Sequence, residues 1–240
     1  MNATPSKAMV LAAGLGTRMR PLTEKTPKPL IEVGGKALID WGLDSLERAG
    51  VAEAIVNIHH LPGLMRAHLA KRAAPRIVVS DETDLLLESG GGIARALPLL
   101  GPKPFFVLNA DTFWVDDGAP DLSGLALAWD AARMDILLML AEMGKATGHS
   151  GRSDFLLGED GRLARSGGDP AGLIYAGAAI IHPRIFAGVK AEPHSLNRYF
   201  DLTAAEGRLF GWVMHGSWIT VGTPDAIPAA EAAVAAATVS

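Results

Sequence analysis

Residues 10–30 contain the first side chains in this sequence whose types and spacing suit chemistry. A short apolar run ends in Gly14-Leu15-Gly16-Thr17, and glycines in this position let the backbone turn tightly and point N–H groups at an anion. Cations follow within a few residues, while prolines keep the segment extended. The cations are Arg18, Arg20, Lys25 and Lys28, and the prolines are Pro21, Pro27 and Pro29. This pattern predicts a loop that binds a polyphosphate.

Two well-known phosphate loops do not fit this stretch. The dinucleotide-binding fingerprint requires a third glycine at a position where this chain has Met19. The Walker loop requires Gly-Lys followed by Ser or Thr, and the stretch has no such string. A different phosphate-binding loop is therefore expected.

A carboxylate is predicted to lie beside this loop. Residues 104–108 indicate a buried strand that ends in Asn109-Ala110-Asp111-Thr112. Mg²⁺ prefers oxygen ligands and is commonly held by one or two carboxylates together with substrate phosphates. An aspartate at a strand end can instead be an ordinary turn residue. Because it follows the phosphate loop motif, we interpret Asp111 as a Mg²⁺ ligand.

Glu88-Ser89-Gly90-Gly91-Gly92-Ile93 is the other glycine-rich motif. We expect its glycines to form a turn before a short helix, leaving backbone N–H and C=O groups open to a flat ligand such as a nucleobase. A plain left-handed turn is the alternative explanation.

The elements around these motifs predict an α/β fold. Helical and strand-like segments alternate through the first hundred residues, as in a parallel sheet whose ligands lie at the carboxyl ends of the strands. His59 and His60 fall at one strand end and are interpreted as ordinary loop residues. The predicted helices are 36–49, 64–72, 122–133, 193–208 and 225–237; the strands are 54–58, 77–79, 104–108, 136–141 and 174–181, with a hairpin over 154–165 and a closing β pair at 209–214 and 218–221.

Composition limits the classes of function. With 240 residues and 49% hydrophobic content, the chain suits one domain over 1–240. The net charge of −4 argues against a nucleic-acid partner, because the basic residues form no long stripe. The sequence has no cysteine and no apolar run near the ~18 residues of a membrane span. We expect a cytoplasmic protein with small-molecule substrates, no membrane partner, and a monomeric or homodimeric state.

The string G-x-G-T-R-M-x-P-L-T-x-x-x-P-K-P-L, at residues 14–30, resembles the signature of the sugar-1-phosphate nucleotidylyltransferases. The likeness continues through HSGRSDF (149–155), YAGAAIIHPRIF (175–186) and SWITVGT (217–223). Within that family it is greatest to the members that transfer uridylyl groups to N-acetylmuramic acid 1-phosphate in cell-wall sugar recycling. The resemblance implies a Rossmann-like nucleotidyltransferase fold, with a mixed, mostly parallel central sheet flanked by helices and a small β insert over the site.

The resemblance also implies a role for each matching residue, with an NTP and a sugar 1-phosphate as substrates and Mg²⁺ as cofactor. Arg18, Lys28 and Asp111 are the implied catalytic residues, and Asp111 is the implied metal ligand. The implied nucleotide-binding residues are Leu11, Ala13, Gly14, Gly16, Thr17, Arg18, Glu88 and Gly91. The implied sugar phosphate-binding residues are Lys28, Asn109, Glu142, Asp154 and Gly177. Glu142 and Asp154 can equally be solvated loop carboxylates.

One position departs from the family pattern. The family usually has an aspartate where this chain has Thr220, and a hydroxyl is a weaker Mg²⁺ ligand than a carboxylate. Three alternatives stay open: Asp111 acts alone with water and phosphates, another carboxylate such as Asp225 replaces the missing one, or the protein binds nucleotide with little turnover. Two functional alternatives stay open. The first is a family enzyme for mannose, glucose or heptose phosphates, since base and sugar choice rest on a few contacts; the second, motivated by Thr220, is a non-catalytic sensor of sugar nucleotides.

Overall fold

The computed structural model describes residues 4–238, which form strands and helices in alternation. In chain order the strands are β1 (Lys7–Leu11), β2 (Glu32–Val33), β3 (Lys36–Ala37), β4 (Glu53–Ile58), β5 (Arg76–Asp81), β6 (Phe105–Asn109), β7 (Thr112–Val115), β8 (Ile136–Ala141), β9 (Ala146–Thr147), β10 (Phe155–Leu157), β11 (Leu163–Arg165), β12 (Ile174–Ile181), β13 (Leu209–Val213) and β14 (Ser217–Thr220). The helices are α1 (Leu38–Arg48), α2 (Pro62–Leu69), α3 (Glu88–Leu100), α4 (Asp121–Ala128), α5 (Asn197–Ala205) and α6 (Ile227–Thr238).

A seven-stranded sheet forms the centre, in the order β13-β8-β12-β6-β1-β4-β5. Neighbouring strands pair in parallel except at β12, which runs antiparallel to both β8 and β6. The predicted α/β fold with a mixed, mostly parallel sheet is confirmed. Because the other six strands share one direction, the loops that follow β1 and β6 leave the same edge of the sheet.

Both faces of the inner strands of this sheet are buried, which explains why those strands are largely continuous apolar runs. Side chains alternate between the faces along β6. Phe106 and Leu108 join an apolar cluster with Leu43 of α1, whereas Phe105 joins the opposite cluster with Ile93 of α3. Each such side chain stabilises the fold by roughly 1.5–3 kcal/mol. Helices therefore cover the sheet on both sides and fix the strand ends.

The predicted closing β pair is wrong. β13 pairs in parallel with β8 at the edge of the central sheet, while β14 lies between β7 and β9 in a separate three-stranded sheet. Buried Asp121 at the start of α4 explains the separation, because its carboxylate accepts hydrogen bonds from His215 N and Gly216 N at 2.9 and 3.1 Å. These bonds hold the connecting turn away from a hairpin geometry.

The limits of several other helices and strands differ from those predicted from the sequence. Residues 36–37 belong to the small β2/β3 hairpin, whose turn residues Gly34 and Gly35 have φ values of 62° and 69°. α4 ends at Ala128, since Trp129 has an extended backbone, and α5 is shorter than predicted. The terminal helix begins after a 3₁₀ turn, Pro224–Ala226. The β10/β11 hairpin is confirmed. No helix within 4–238 is long and apolar enough to cross a membrane.

Asp135 joins three of these elements at one sheet edge. Its buried carboxylate accepts hydrogen bonds from Arg184 Nε and, at 2.9 Å, from Arg208 Nε. Its backbone N–H donates to Arg208 O and its carbonyl accepts from His182 N. Burial raises the pKa of Asp135, but the hydrogen bonds from Arg208 and Arg184 outweigh burial, and the pKa is lowered below 3.8.

Asp135→Asn should reduce the free energy of unfolding by about 3 kcal/mol at pH 7, because two cations lose a largely buried partner. A lowered native pKa gives stability that is present above the unfolded-state pKa and is lost as pH falls through the native pKa. Urea unfolding should therefore show the wild-type advantage shrinking between pH 5 and pH 2. Asp160→Asn, in an exposed pair with Arg162, is the control and should change the free energy of unfolding far less than Asp135→Asn does. An advantage that persists at pH 2 would contradict this prediction.

Candidate active site

The segment after β1 forms a tight loop whose shape depends on Gly16. Gly16 has φ 61° and accepts hydrogen bonds from Thr23 Oγ1 at 2.8 Å and Met19 N at 2.9 Å. A Cβ at this position would lie 2.8 Å from the Thr23 side chain and 3.0 Å from Lys28 Cβ. A side chain is therefore excluded by conformation and by contact. Gly14, in contrast, faces open space.

Lys28 and Asp111 meet at the sheet edge, as the sequence predicts for a shared site. Lys28 Nζ lies 2.6 Å from Asp111 Oδ2, and the side chains are 10% and 38% exposed. Lys28 opens a 3₁₀ turn, Lys28–Leu30, and Asp111 joins β6 to β7. An exposed carboxylate beside a mostly buried ammonium group leaves room for a further ligand on the carboxylate side.

A loop cavity of about 220 Å³ adjoins this pair. It is lined by Gly14, Gly16, Thr17, Arg18, Met19, Lys28, Asp111 and Gly222. Arg18 is exposed there, whereas Arg20 and Lys25 do not line this cavity. Arg20 lies by His60, whose Nε2 is 2.7 Å from Thr23 O. Of the four predicted phosphate-binding cations, the structure brings Arg18 and Lys28 together.

A central cavity of about 380 Å³ lies on the other side of Lys28. It is lined by Leu11, Ala12, Ala13, Gly14, Lys28, Pro29, Asn57, Leu86, Glu88, Ser89, Asn109, Ala110 and Asp111. The predicted nucleotide-binding residues Leu11, Ala13, Gly14 and Glu88 are among them. Its mainly small and apolar walls suit a flat ring, and Lys28 and Asp111 connect it to the loop cavity.

The glycines of the second motif are not a turn before a helix. Gly90, Gly91 and Gly92 lie inside α3, which begins at Glu88. A Cβ on Gly91 would lie 2.2 Å from Glu192 O, and one on Gly90 would lie 2.5 Å from His194 Cδ2. These glycines therefore permit close packing of α3 against residues 192–194. Gly91 does not line the central cavity, and its assignment to nucleotide binding stays a prediction.

Sequence reasoning missed a buried polar chain behind the central cavity. Asn57 Oδ1 accepts from Ala12 N at 2.7 Å, and Asn57 Nδ2 donates to Glu82 Oε1 at 2.8 Å. Glu82 Oε2 accepts from Leu87 N at 3.3 Å, and Glu82 is fully buried. Burial raises the pKa of Glu82 above its ordinary value, although the bonds from Asn57 and Leu87 act the other way. The chain links the loop after β1 to the start of α3 across the cavity floor.

The sequence contains only a weak signal for this buried polar chain of hydrogen bonds. Asn57 sits as a polar residue inside an apolar strand, and Glu82 stands among other acidic residues. Nothing local distinguishes Glu82 from its exposed neighbours. His59 lies in the loop after β4, and its Nδ1 lies 2.6 Å from Glu82 O. Its interpretation as an ordinary loop residue stays a prediction.

A hairpin cavity of about 270 Å³ continues from the central cavity. It is lined by Leu11, Ser89, Asn109, Asp154, Phe155, Arg165, Tyr175, Leu196, Asn197 and Phe200. The predicted sugar-binding residues Asn109 and Asp154 are here, and Asp154 Oδ2 accepts from Tyr175 N at 2.9 Å. The Tyr175 hydroxyl is the one buried side-chain polar atom without a hydrogen-bond partner in the described part of the chain.

The other two predicted sugar-binding residues do not line this cavity. Glu142 is exposed just after β8. Gly177 has φ 79° and lies where the pairing of β12 with β8 shifts register. A Cβ on Gly177 would lie 2.3 Å from Thr112 Oγ1, so packing explains this glycine. The roles of Glu142 and Gly177 in sugar binding stay predictions.

Few donors for a metal lie near Asp111. Residues 4–238 contain no group of three or more His, Asp or Glu side chains that could hold a metal ion. Thr220 pairs with Thr112 in β7, and Val221 N donates to Asp111 O at 3.4 Å, so position 220 is close to Asp111 along the sheet. Asp225 is exposed and lines none of the three cavities. One exposed carboxylate fits Mg²⁺ that arrives with substrate phosphates, which is a common mode of Mg²⁺ binding.

The fold and these cavities define a nucleotidyltransferase. Residues 8–148 match the family model for the MobA-like NTP transferase domain, and the chain belongs to that family. It is 47% identical, over 99% of its length and 100% of the relative's, to an N-acetylmuramate alpha-1-phosphate uridylyltransferase of Caulobacter vibrioides. It is 37% identical to the protein of the same description from Neisseria meningitidis, over 90% of this chain and 93% of that protein.

A solved structure supports the fold. The inositol-1-phosphate CTP transferase from T. maritima superposes with a TM-score of 0.76 at 17% identity, covering 94% of this chain and 92% of that one. The family model and the two sequence relatives confirm the family predicted from the 14–30 string.

Gly92 tests the polar chain. A Cβ there would lie 2.7 Å from Glu82 Oε1 and 2.8 Å from Asn57 Nδ2. Gly92→Ala should lower the free energy of unfolding by about 2 kcal/mol through overpacking and should weaken nucleotide binding. Gly63→Ala, in α2 with open space around the new Cβ, should instead leave stability unchanged or raise it by up to about 1 kcal/mol. Thermal melts and nucleotide titrations of both variants measure stability and nucleotide binding. Equal effects of the two variants would contradict a role of the polar chain in supporting the central cavity.

Proposed function

We propose that this chain transfers a uridylyl group from UTP to N-acetylmuramic acid 1-phosphate and releases pyrophosphate. The observation that carries the proposal is the 47% identity, over both full lengths, to the Caulobacter vibrioides relative of that description. The continuous central, loop and hairpin cavities agree with it, because they offer adjoining spaces for a base, phosphates and a sugar. The chain would then serve cell-wall sugar recycling.

The proposed reaction depends more on cations that hold the phosphates than on a general base. The phosphate of the sugar is already an anionic nucleophile, so one of its oxygens attacks the α-phosphorus of UTP while the bond from that phosphorus to the β-phosphate bridging oxygen breaks. The obstacle is to bring two polyanions together in line. Lys28, between the central and loop cavities, is suited to hold both the attacking phosphate and the α-phosphate. Arg18 and the N–H groups near Gly16 are suited to the leaving pyrophosphate.

We propose Mg²⁺ as the cofactor, with Asp111 as its ligand in the protein. When bound, the metal would neutralise phosphate charge and align the reacting groups. Asp111 is accessible enough for this role, and Lys28 holds the carboxylate in place until phosphates arrive. Lys28 can then turn from Asp111 to the phosphates, since its ammonium group is a flexible point charge.

A substrate panel tests the function. UTP, CTP, GTP and dTTP are each combined with the 1-phosphates of N-acetylmuramic acid, mannose, glucose and heptose, and released pyrophosphate is measured. UTP with N-acetylmuramic acid 1-phosphate should give the highest kcat/KM. A higher value with another pair would replace the proposed substrates, and no turnover with any pair would favour the sensor alternative that Thr220 motivates.

We also propose that residues 1–240 form one domain, since C-terminal β13 completes the sheet that contains β1. A cytoplasmic location is proposed from the substrates, because nucleoside triphosphates are made inside cells. A monomer or homodimer remains the proposed assembly, and light scattering would measure it.

Lys28→Ala should lower kcat by about a hundredfold or more, because one cation that contacts the reacting phosphates contributes several kcal/mol in the transition state. Lys25→Ala is the matched control: Lys25 is exposed and lines none of the three cavities, so its variant should stay within about twofold of wild type. Steady-state pyrophosphate release measures both. Similar losses in the two variants would remove Lys28 from its proposed role.

Thr220→Asp should lower the Mg²⁺ concentration needed to bind a non-hydrolysable UTP analogue, because a second carboxylate would lie near Asp111. Titrating Mg²⁺ while following the melting temperature with the analogue gives a readout that does not need turnover. Asp225→Asn is the control and should change nothing. If Asp225→Asn raises the Mg²⁺ requirement and Thr220→Asp has no effect, the second carboxylate is Asp225.

A further inference from the structure

Arg165 is the cation that lines the hairpin cavity. It ends β11, and its guanidinium is held on one side by α5: Nε donates to Asp201 Oδ1 at 2.8 Å and Nη2 donates to Asn197 Oδ1 at 3.0 Å. The group also lies over the Phe155 ring, with Cζ 4.7 Å from the ring centroid. A guanidinium with these contacts is fixed in position, so little further ordering is needed when a ligand binds.

The donors of Arg165 are only partly used. Within residues 4–238, Nη1 has no hydrogen-bond acceptor and Nη2 has one. The ion pair with Asp201 joins side chains that are 40% and 61% exposed, and such pairs contribute little to stability. Linking β11 to α5 through this ion pair therefore does not explain why position 165 is an arginine. The remaining N–H groups suit a carboxylate, which accepts from a guanidinium in a planar pair of bonds.

The hairpin cavity lies where a sugar would extend from the reacting phosphate. Leu11, Ser89 and Asn109 line both this cavity and the central cavity, which contains Lys28. A sugar 1-phosphate held at Lys28 would pass Asn109 and place its ring substituents toward Arg165. N-acetylmuramic acid differs from N-acetylglucosamine by a lactyl ether that carries a carboxylate, so the two sugars differ in a group that a guanidinium can recognise.

We propose that Arg165 recognises the carboxylate of the sugar 1-phosphate and so selects acidic sugars, a role that rests on the proposed function. Asp201 and Asn197 orient the guanidinium, and Phe155 supports its plane. Asp154 faces the same cavity, but its Oδ2 already accepts from Tyr175 N, and its remaining acceptor capacity suits sugar hydroxyl groups. Because Asp201 and Asp154 offset part of the positive charge, the selectivity from Arg165 should be moderate.

The test compares three sugars with UTP: N-acetylmuramic acid 1-phosphate, the same compound with its lactyl group as a methyl ester, and N-acetylglucosamine 1-phosphate. Arg165→Met should lower kcat/KM for the acid about 30-fold, and change the value for the other two sugars by less than about threefold. Arg165→Lys, which keeps the charge without the planar fork, should fall between. The loss for the acid should vanish for the ester, as a double-mutant cycle requires.

Arg162→Met is the matched control. Arg162 belongs to the same hairpin, lies over the Phe210 ring and pairs with Asp160, and it does not line the hairpin cavity. Its variant should keep the wild-type preference among the sugars. Melting temperatures of all variants identify any that fail to fold, and Arg165→Lys then carries the comparison.

The outcomes separate the two proposals. Suppose that wild type prefers the acid, and that Arg165→Met lowers kcat/KM equally for all three sugars or for none of them. Arg165 then does not recognise the carboxylate, and the proposed function still stands. If wild type uses none of the three sugars, the proposed function is wrong and the role of Arg165 is wrong with it. Selective loss for the acid in Arg165→Met, absent in Arg162→Met, supports the inference.

Discussion

The parallel pairing of β1 with β6 is the contact on which the site depends. Leu11 lies opposite Asn109, and Ala110 N donates to Leu11 O at 3.1 Å. Residues ninety-eight positions apart in the chain thereby leave the sheet side by side, one strand leading to the loop with Gly16 and the other to Asp111. Asn57 accepts a hydrogen bond from the loop after β1 and donates one to Glu82, which holds that loop in place. Asp135, just before β8, joins the chain to Arg208 just before β13.

The ion pair between Lys28 and Asp111 forms at this edge of the sheet and sets the charge of the site. In the protein without substrate, each group neutralises the other at 2.6 Å. Under the proposed mechanism, a triphosphate would compete for Lys28 and a divalent cation for Asp111, so the two ligands would favour each other's binding by separating the same pair. Charge exchange of this kind needs no conformational change in the sheet. It also makes position 220 important, because a second carboxylate there would favour the metal over Lys28.

Glycine has several different uses in this chain. Gly16 is needed for its left-handed backbone and its contact with Thr23, whereas Gly91 and Gly92 are ordinary helical residues that let α3 approach Glu192 and Glu82. The sequence shows the same letter in each place. A glycine-rich motif therefore predicts close approach of some kind, and the neighbouring backbone decides whether the partner is a ligand or another part of the protein.

From the sequence alone we could predict the α/β class, the strands with continuous apolar runs, the loop at residues 14–30, the nearness of Asp111 to that loop, and the family. These features follow from local patterns: hydrophobic periodicity, glycine and proline positions, and a long motif. Only the tertiary structure decided that β13 and β14 join different sheets, that the α3 glycines are packed, that Glu82 is buried behind the central cavity, and that Arg165 lines the hairpin cavity. Each of these depends on partners distant in the chain, such as Asp121, Glu192, Asn57 and Asp201. Local residue types carry no information about such partners, because burial and pairing arise only when the sheet assembles.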